Sequence, residues 1–269
     1  MALILGKKTV GRLETLQYAN KKFKWRNDVI IGIGHQHAFW AWLLARLTGR
    51  KCIYYCIDFY SPEISDNLWD RIFIWAAMLM DMFLVKQVDE VWDISKRIQA
   101  GRKRFGGYIA HIPEIVPLSY PPSYFNFVKP IWENPVYVGL VPYGKEIMPK
   151  DTFYIDGKMP LQQMLNLIAR CKIGISLWDK NGNNYYGDPG KTKLYSACGL
   201  PVIMTDNTPY ADIIKRTGAG LVISYNKNAV KWAIKKILGN YAYYKKNVKK
   251  TWGYINADTI FKDIRLLER

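Results

Sequence analysis

The stretch that decides the fold is DVIIGIGHQHAFWAWLLARLTGRKCIYYCID, residues 28–58. It opens with DVIIGIG (28–34), an apolar run whose length and β-branched content are typical of a buried strand. Residues 37–49 then carry apolar side chains at helical spacing and end at a glycine, which is a common helix stop. KCIYYCID (51–58) is a second apolar strand. A strand, a helix and a strand in succession predict a parallel sheet covered by helices, so the fold class is α/β.

The same alternation continues on both sides of a proline-rich break. Residues 67–116 have the pattern of helix, strand, helix and strand, and residues 136–224 repeat it with several more strands. Between them, residues 117–135 contain five prolines in nineteen residues, which excludes a helix or a central strand there. We therefore predict two domains, with no strand before residue 28 and a helix throughout residues 245–269.

The composition describes a folded and strongly basic protein. The 269 residues include 39 Lys and Arg against 22 Asp and Glu, a net charge of +17, and 49% are hydrophobic, which is enough for a real core. The longest apolar run, residues 72–80, is shorter than the ~20 residues of a membrane-spanning helix, and the N-terminus lacks the order of a secretory signal. We therefore expect a cytosolic protein. Its cysteines show no metal or disulfide spacing and are expected to be buried and reduced: Cys52, Cys56, Cys171 and Cys198.

The segment richest in chemistry is GISLWDKNGNNYYGDPGKTKLYSACGLPVIMT, residues 174–205. A strand is followed by a polar loop, and a helix then opens with Asp188 at the N-cap and Pro189 at the first helical position. That start leaves the backbone N–H groups of residues 190–192 without partners, at the positive end of the helix dipole and beside the Lys191 ammonium. The segment therefore predicts a phosphate site, with an ordinary capped helix after a surface loop as the alternative.

Three runs in this half of the chain resemble one family. PGKTKLYSACGLPVI (189–203) and ADIIKRTGAGLVIS (211–224) resemble the donor half of GT-B glycosyltransferases of the family 4 type, in particular bacterial relatives that transfer glucose or galactofuranose. VYVGLVPYGK (136–145) is similar to the family's strand and glycine–lysine turn. The resemblance implies two Rossmann-like domains that face a cleft: an N-terminal acceptor-side domain (1–126), a C-terminal nucleotide-sugar domain (127–252) and a closing helix (253–269) that packs back on the first domain.

Carried over position by position, the resemblance implies a donor site. Lys145 and Lys191 would contact the donor pyrophosphate, where cationic charge offsets the negative charge that grows on the leaving diphosphate. Tyr185 and Tyr186 would cover the base or the sugar. The alternatives are a solvated lysine at position 145 and two tyrosines that only pack the loop. The implied donor-binding set is Gly139, Lys145, Gly157, Lys158, Tyr185, Tyr186, Asp188, Gly190, Lys191 and Thr192.

The chain also departs from the family pattern. Leu140 stands where the family commonly has an arginine, and Leu194 replaces the glutamate that accepts ribose hydroxyls. The family's first strand and helix have no predicted counterpart before residue 28, so we interpret the chain as a shortened member of the family. These differences leave two interpretations open: an active transferase, and a catalytically inactive scaffold derived from the same fold.

Histidines follow the first predicted strand, and an aspartate ends the second. His35 lies at the mouth of the first domain, where its ordinary pKa suits it to take a proton from an acceptor or to hold the donor sugar. Asp58 ends the next strand at the same edge of the sheet. The alternative is that His35 or His37 caps the following helix. With Lys191, His35 and Asp58 form the predicted catalytic set.

Metal and surface chemistry are predicted from what the sequence contains. No Asp-x-Asp motif occurs, so a metal-bridged diphosphate is disfavoured, no metal site is predicted, and no cofactor is expected beyond the nucleotide-sugar donor itself. Ten basic residues and no acidic one lie between residues 215 and 250, a charge that attracts anionic lipid headgroups. With exposed-looking aromatic residues at 39, 40 and 42 and in 69–83, this predicts a peripheral membrane protein, with a soluble basic face as the alternative. Nucleic acid is not an expected partner, because recognition-helix, RNP and KH signatures are absent.

Together these observations predict a glycosyltransferase that moves a sugar from a nucleotide-diphosphate donor, a UDP-sugar above others, to a glycan or lipid-linked acceptor in polysaccharide biosynthesis. The absence of an Asp-x-Asp motif predicts metal independence, and the resemblance implies retention of anomeric configuration. A binding or scaffold subunit and a basic nucleic-acid-binding protein are the alternatives from other classes.

Overall fold

The computed structural model describes residues 2–6, 12–59, 67–102, 109–111, 132–138, 144–155, 158–178 and 185–261. The chain divides into two compact units. The first comprises Met1–Glu114, Asn181–Asp188 and Ala257–Arg269, and the second comprises Ile115–Lys180 and Pro189–Asn256. The predicted domain boundary between residues 126 and 127 falls outside the described residues.

The first unit is built on a parallel sheet in the order β1-β2-β3-β4-β5. Its strands are β1 (Leu3–Leu5), β2 (Val29–Ile33), β3 (Lys51–Cys56), β4 (Glu90–Asp93) and β5 (Ile109–His111). Its helices are α1 (Arg12–Phe23), α2 (His35–Thr48), α3 (Leu68–Gln87) and α4 (Lys96–Arg102). Strand β2 is buried along its whole length, which explains its continuous apolar sequence.

The prediction of no strand before residue 28 is wrong. β1 pairs in parallel with β2, with Leu3 opposite Ile30, and α1 connects the two strands. β1 has only three residues at the edge of the sheet, too few to give a sequence period. The chain therefore starts its first sheet one strand earlier than its pattern indicates.

Two glycines position the start of α2 against the sheet. A side chain at Gly32 would place its Cβ 2.4 Å from the Cα of Ala38, so the helix packs directly on the strand backbone. Gly34 has a φ of 74°, a conformation that favours glycine, and it is the N-cap residue of α2. The turn at Gly34 makes His35 the first helical residue, at the carboxyl end of β2.

The second unit is built on a parallel sheet in the order β10-β9-β8-β6-β7. Its strands are β6 (Trp132–Val138), β7 (Phe153–Ile155), β8 (Cys171–Ser176), β9 (Val202–Thr205) and β10 (Gly220–Ile223). Its helices are α5 (Leu161–Ile168), α6 (Gly190–Ala197), α7 (Tyr210–Thr217), α8 (Lys227–Gly239) and α9 (Tyr241–Val248). Apolar side chains are buried on both faces of this sheet, as in other parallel sheets.

The prediction of one helix over residues 245–269 is also wrong. α9 ends at Val248, a 3-10 helix covers Lys249–Tyr254, and a short helix α10 (Ala257–Ile260) follows. The carbonyl of Trp252 accepts from the N–H groups of Ile255 and Asn256 at 3.1 and 3.0 Å, which ends the 3-10 helix. Residues 262–269 lie outside the described part of the chain.

The segment after this break belongs to the first unit. The ring of Phe261 packs edge-on against that of Trp25 with their centroids 5.2 Å apart. The ammonium of Lys22 on α1 forms an ion pair with Asp258 of α10. Both contacts join the end of the described chain to the elements around β1 and β2.

Two expectations from composition can be compared with the structure. All four cysteines are free and buried, which confirms that prediction. Within the described residues, none of the helices combines the length and the hydrophobicity that crossing a membrane would require.

Candidate functional site

The Lys191 ammonium is held at the carboxyl ends of two neighbouring strands in the second unit. Its Nζ donates to the hydroxyl of Tyr137 at 2.7 Å and lies 4.1 Å from the centroid of the same ring. It also lies 4.7 Å from the ring centroid of Trp178. Tyr137 is near the end of β6, and Trp178 comes two residues after β8. Ligands of parallel α/β sheets bind at this edge, so the lysine is where such a site is expected.

Hydrogen bonds fix Trp178, whose indole ring lies next to the Lys191 ammonium. The backbone N–H of Trp178 donates to Thr205 Oγ1 at 3.0 Å, and the same hydroxyl donates to the Trp178 carbonyl at 2.8 Å. Asn207 Nδ2 also donates to that carbonyl, and the indole Nε1 donates to Ser176 Oγ at 2.9 Å. Trp178 is therefore a rigid platform, and the position of the ammonium above it is set before any ligand arrives.

Burial changes the charge state of this lysine. Desolvation lowers the pKa of Lys191 from its ordinary value of 10.5 to about 7. The aromatic faces attract the ammonium, but they do not replace the water it has lost. An anion beside Nζ would favour the charged form, so the site is suited to gain a proton when a phosphate binds.

The start of α6 differs by one residue from the predicted one. Pro189 is the N-cap residue, with an extended ψ of 116°, and Gly190 is the first helical residue. Asp188 is buried and lies one residue before the cap, and the cap residue Pro189 makes no side-chain hydrogen bond to the helix. The cap falls on Pro189 and not on Asp188, because the cap is the last residue with a non-helical backbone and Pro189 is still extended.

The first turn of α6 keeps part of the predicted phosphate site. The N–H of Thr192 is not available, because it donates to the Pro189 carbonyl at 3.2 Å. Thr192 Oγ1 donates to the same oxygen at 2.5 Å, and the side chain is fully buried. The prediction that the Thr192 N–H has no partner is therefore wrong, while the place of Thr192 in the donor-binding set stays a prediction. The other two N–H groups of the predicted set, those of Gly190 and Lys191, lie in the same first turn at the positive end of the helix dipole.

The other predicted donor residues of the second unit lie around this edge or outside the described chain. Lys145 and Lys158 are exposed. Lys145 follows Gly144, which adopts a φ of 77° and whose carbonyl accepts from two N–H groups of the next turn. Gly139 and Gly157 fall outside the described residues, so their predicted contacts stay predictions.

The two predicted tyrosines are grouped with the first unit rather than with Lys191. The Arg97 guanidinium lies 4.2 Å from the ring centroid of Tyr185 and donates to its carbonyl at 3.0 Å. The ring of Tyr186 packs on that of Phe59, with a centroid distance of 4.8 Å. Both rings therefore pack on residues of the first unit, and their predicted contact with the base or the sugar stays a prediction.

A cavity in the first unit brings together both residues predicted for the acceptor side. It has about 350 Å³ of space, including the part open to solvent, and His35 and Asp58 both line it. Asp81, from α3, is a third polar residue in its wall. The remaining wall is apolar: Phe59, Ala77, Met78 and Met82. The carboxyl ends of β2 and β3 thus place a histidine and an aspartate around one cavity, as the sequence predicted.

The electrostatics of this cavity favour a neutral histidine. Burial lowers the pKa of His35, while the nearby charges of Asp81 and Asp58 oppose that shift and His37 adds to it. Asp81 is itself buried, and its Oδ1 accepts from the hydroxyl of Tyr54 at 2.7 Å. Gly34 is the N-cap of α2, so neither histidine occupies the cap position considered as the alternative. A neutral imidazole in a half-buried site can accept a proton.

Sequence reasoning did not find three of these residues. Asp81 carried a signal, because it is the only charged residue within the apolar stretch 72–85. Tyr137 and Trp178 carried none, since aromatic residues at strand ends are common in cores. Their role depends on a lysine that lies 54 residues after Tyr137 in the chain.

The described residues contain no group of three or more His, Cys, Asp and Glu side chains that could hold a metal ion. The predicted metal independence is not tested by this observation.

The chain matches one family model. Residues 125–265, more than half of the sequence, match the family described as glucosyltransferase 3-like, C-terminal domain. The match includes Tyr137, Trp178 and the whole of α6. No curated protein matches the chain by sequence.

Solved structures resemble the chain over nearly its whole length. Sucrose-phosphate synthase from Thermosynechococcus elongatus has a TM-score of 0.61 at 14% identity, with 92% of this chain and 74% of that one covered. Anabaena HepE in complex with UDP-glucose has a TM-score of 0.60 at 11% identity, with coverage of 95% and 82%. WaaG, a glycosyltransferase involved in lipopolysaccharide biosynthesis, has a TM-score of 0.60 at 11% identity, with 99% of this chain and 96% of that one covered. These are GT-B proteins, so the predicted Rossmann-like GT-B fold is confirmed, and the family model over residues 125–265 confirms the resemblance to glycosyltransferases.

Proposed function

The chain belongs to the family of glucosyltransferase 3-like proteins, and from that premise we propose that it transfers a sugar from a UDP-sugar to a hydroxyl group of a glycan or lipid-linked acceptor. Glycosyl transfer from a nucleotide sugar follows from the family and the fold. The choice of UDP, the acceptor class, metal independence and retention of configuration are the parts we propose. HepE, a structural neighbour, has been solved with UDP-glucose, which is why UDP is the nucleotide we carry over to this chain.

The observation that carries the proposal is the position of the Lys191 ammonium, held beside Tyr137 and Trp178 in the first turn of α6. In the reaction, the bond between the anomeric carbon and the diphosphate oxygen breaks, and negative charge grows on the leaving diphosphate. A lysine that gains a proton as the anion binds would offset that charge without a metal ion. The N–H groups of Gly190 and Lys191 and the dipole of α6 add to the same effect.

We propose that the acceptor binds in the cavity of the first unit. The acceptor oxygen forms the new bond to the anomeric carbon and must lose its proton. Neutral His35 is the candidate to take that proton or to hold the donor sugar, and Asp58 is the second candidate. The apolar wall formed by Met78, Met82 and Phe59 suits the carbon face of a sugar or the start of a lipid chain.

A thermal-shift screen of nucleoside diphosphates tests the donor assignment. A ligand that binds only the native state raises Tm, and we expect UDP to give the largest shift among UDP, GDP, CDP and ADP. Lys191→Ala should remove most of the shift, whereas the control Lys150→Ala, an exposed lysine of the same unit, should keep it. The absence of a shift with every diphosphate would contradict the proposal.

Turnover separates an enzyme from a scaffold. Leu194, which stands where the family has a ribose-binding glutamate, favours the inactive alternative, so it must be tested directly. We expect release of UDP from at least one UDP-sugar, in the presence of acceptor or by slow hydrolysis. UDP binding without turnover across a broad panel of donors and acceptors would favour the scaffold instead.

A further inference from the structure

Helix α3 is apolar on all sides although only one side is buried. Its buried residues fall on one face: Ile74, Ala77, Asp81, Leu84 and Val85. The opposite face is exposed and also apolar: Leu68, Trp69, Ile72, Trp75, Leu79 and Phe83. We call this second set the outer face of α3. A surface helix normally carries polar residues there, so the outer face is suited to an apolar environment.

The exposed area is large for the surface of a soluble protein. Trp69 is 77% exposed and Trp75 is 52% exposed on α3, and Trp40 of α2 is 61% exposed. With Phe83, these aromatic side chains expose about 450 Å² if each has ~200 Å² of surface. The leucines and Ile72 add to this value, so the patch exceeds the ~300–600 Å² that is typical of the largest patch on a monomer.

Aromatic contacts make α2 part of the same surface. The ring of Phe39 lies 5.5 Å from that of Trp40 and 6.4 Å from that of Phe83. The ring of Trp42 packs edge-on against Phe83 at 4.9 Å. Phe39 and Trp42 are themselves half-buried, so the expectation that they are exposed is wrong, and their role is to connect the exposed Trp40 to the outer face of α3.

Basic residues lie at the C-terminal end of the outer face, and its middle carries no charge. Asp81 is the charged residue within residues 72–85, and it is buried on the opposite side. Arg71 is exposed in the first turn of α3, next to Asp70, and Lys86 is exposed in the last turn. Arg46 of α2 lies beside Lys86, because its guanidinium donates to the carbonyl of Gln87 at 3.4 Å.

From this arrangement we propose that the outer face of α3, with Trp40, binds the surface of an anionic lipid bilayer. The helix would lie in the plane of the interface, with Trp75 and Leu79 in the acyl region. Arg46 and Lys86 would remain among the headgroups, where each well-placed cation attracts anionic lipid. The proposal concerns a surface and does not depend on the identity of the sugar donor.

Charge favours a bilayer over a second copy of the chain on this face. Each copy has a net charge of +17 and the same basic residues, Arg46 and Lys86, at the C-terminal end of its outer face. Two copies that meet there would bring like charges together, which opposes association. An anionic bilayer complements both the apolar middle and the basic C-terminal end of this face.

Vesicle co-sedimentation of the full chain tests the proposal. We expect binding to vesicles of phosphatidylcholine that contain a third phosphatidylglycerol, weaker binding to pure phosphatidylcholine, and a decrease as salt is added. Trp75→Ser and Leu79→Glu should each reduce the bound fraction at limiting lipid by about tenfold or more. Because both positions are exposed, each variant should keep the wild-type Tm.

The matched control is Trp232→Ser on α8. Trp232 is 52% exposed, as is Trp75, and it lies among lysines of the second unit. We expect this variant to bind vesicles as the wild type does. The proposal is overturned if the wild type does not sediment with anionic vesicles, or if Trp232→Ser loses binding while Trp75→Ser and Leu79→Glu keep it. It is also overturned if the wild type is a dimer that Leu79→Glu converts to a monomer, because the outer face would then be an interface between copies.

Discussion

Replacement of Lys191 by methionine tests the donor site and gives opposite effects on binding and stability. Methionine keeps the apolar stem between Tyr137 and Trp178 but has no ammonium. A charge-assisted hydrogen bond contributes about 1.5–3 kcal/mol, so we expect the Kd for UDP to rise by about 10- to 150-fold. Without ligand, the variant should be more stable than the wild type, because it no longer holds a desolvated amine.

The stability effect follows from the lowered pKa. Folding lowers the pKa of Lys191 from 10.5 to about 7, so between these values the unfolded chain binds more protons. The contribution of this group to stability therefore rises with pH between about 7 and 10.5 and is lowest below about 7. At neutral pH the methionine variant should gain roughly 1–2 kcal/mol in free energy of unfolding, once the partial exposure of the amine is discounted.

The same lowered pKa makes UDP binding depend on pH. A bound diphosphate raises the pKa again, so above about pH 7 the wild type takes up a proton on binding, and its Kd rises by up to about tenfold per pH unit. Isothermal titration calorimetry in buffers of different ionisation enthalpy measures both the Kd and the proton uptake. Lys191→Met should show no such proton uptake. UDP itself also titrates, but this affects the Kd of the variant and of the wild type equally, so it cancels in the ratio of the two values at each pH.

Lys150→Ala is the control, and it should match the wild type in every one of these measurements. The reasoning is refuted if Lys191→Met binds UDP as tightly as the wild type. It is also refuted if the variant is less stable than the wild type without ligand, because Lys191 would then be a structural residue.

Three further predictions concern other parts of the structure. Asp81→Asn should lower the pKa of His35 further, because the charge of Asp81 is one of those that raise it. We expect the kcat for transfer to fall by about tenfold or more, while the Kd for UDP stays unchanged. Equal transfer rates in the variant and the wild type would contradict the role of the cavity. Gly174→Ala places a Cβ 2.3 Å from the ring of Tyr195, a buried residue whose hydroxyl accepts from the Val138 N–H. We expect the free energy of unfolding to fall by about 1–3 kcal/mol, measured as a lower Tm in circular dichroism. An unchanged Tm would refute this packing. Addition of EDTA should leave both UDP binding and turnover unchanged, and a loss that Mg²⁺ or Mn²⁺ restores would contradict metal independence.

The sequence predicted those parts of the fold whose signals are local. Residues 28–58 predicted a strand, a helix and a strand because burial of β2 and β3 requires continuous apolar runs. The start of α6 was predicted to within one residue from its proline and glycine. β1 was missed because three residues at a sheet edge do not form a period.

The candidate sites were predicted where residues follow strand ends, and missed where packing decides. His35 and Asp58 follow parallel neighbouring strands, so their common cavity could be expected. The position of the Lys191 ammonium between Tyr137 and Trp178 could not be expected from the sequence. These two aromatic residues come together only because β6 and β8 are neighbours in the folded sheet. The resemblance predicted that Tyr185 covers the donor, whereas its contact with Arg97 of the same unit depends on tertiary packing that the sequence does not reveal.

The most direct test of the central claim is a crystal structure of the protein with UDP. We predict diphosphate oxygens within about 3 Å of Lys191 Nζ and of the N–H groups that open α6, with Nζ turned from the Tyr137 hydroxyl toward the phosphate. A complex in which UDP binds elsewhere, while Lys191 still donates to Tyr137, would contradict the account.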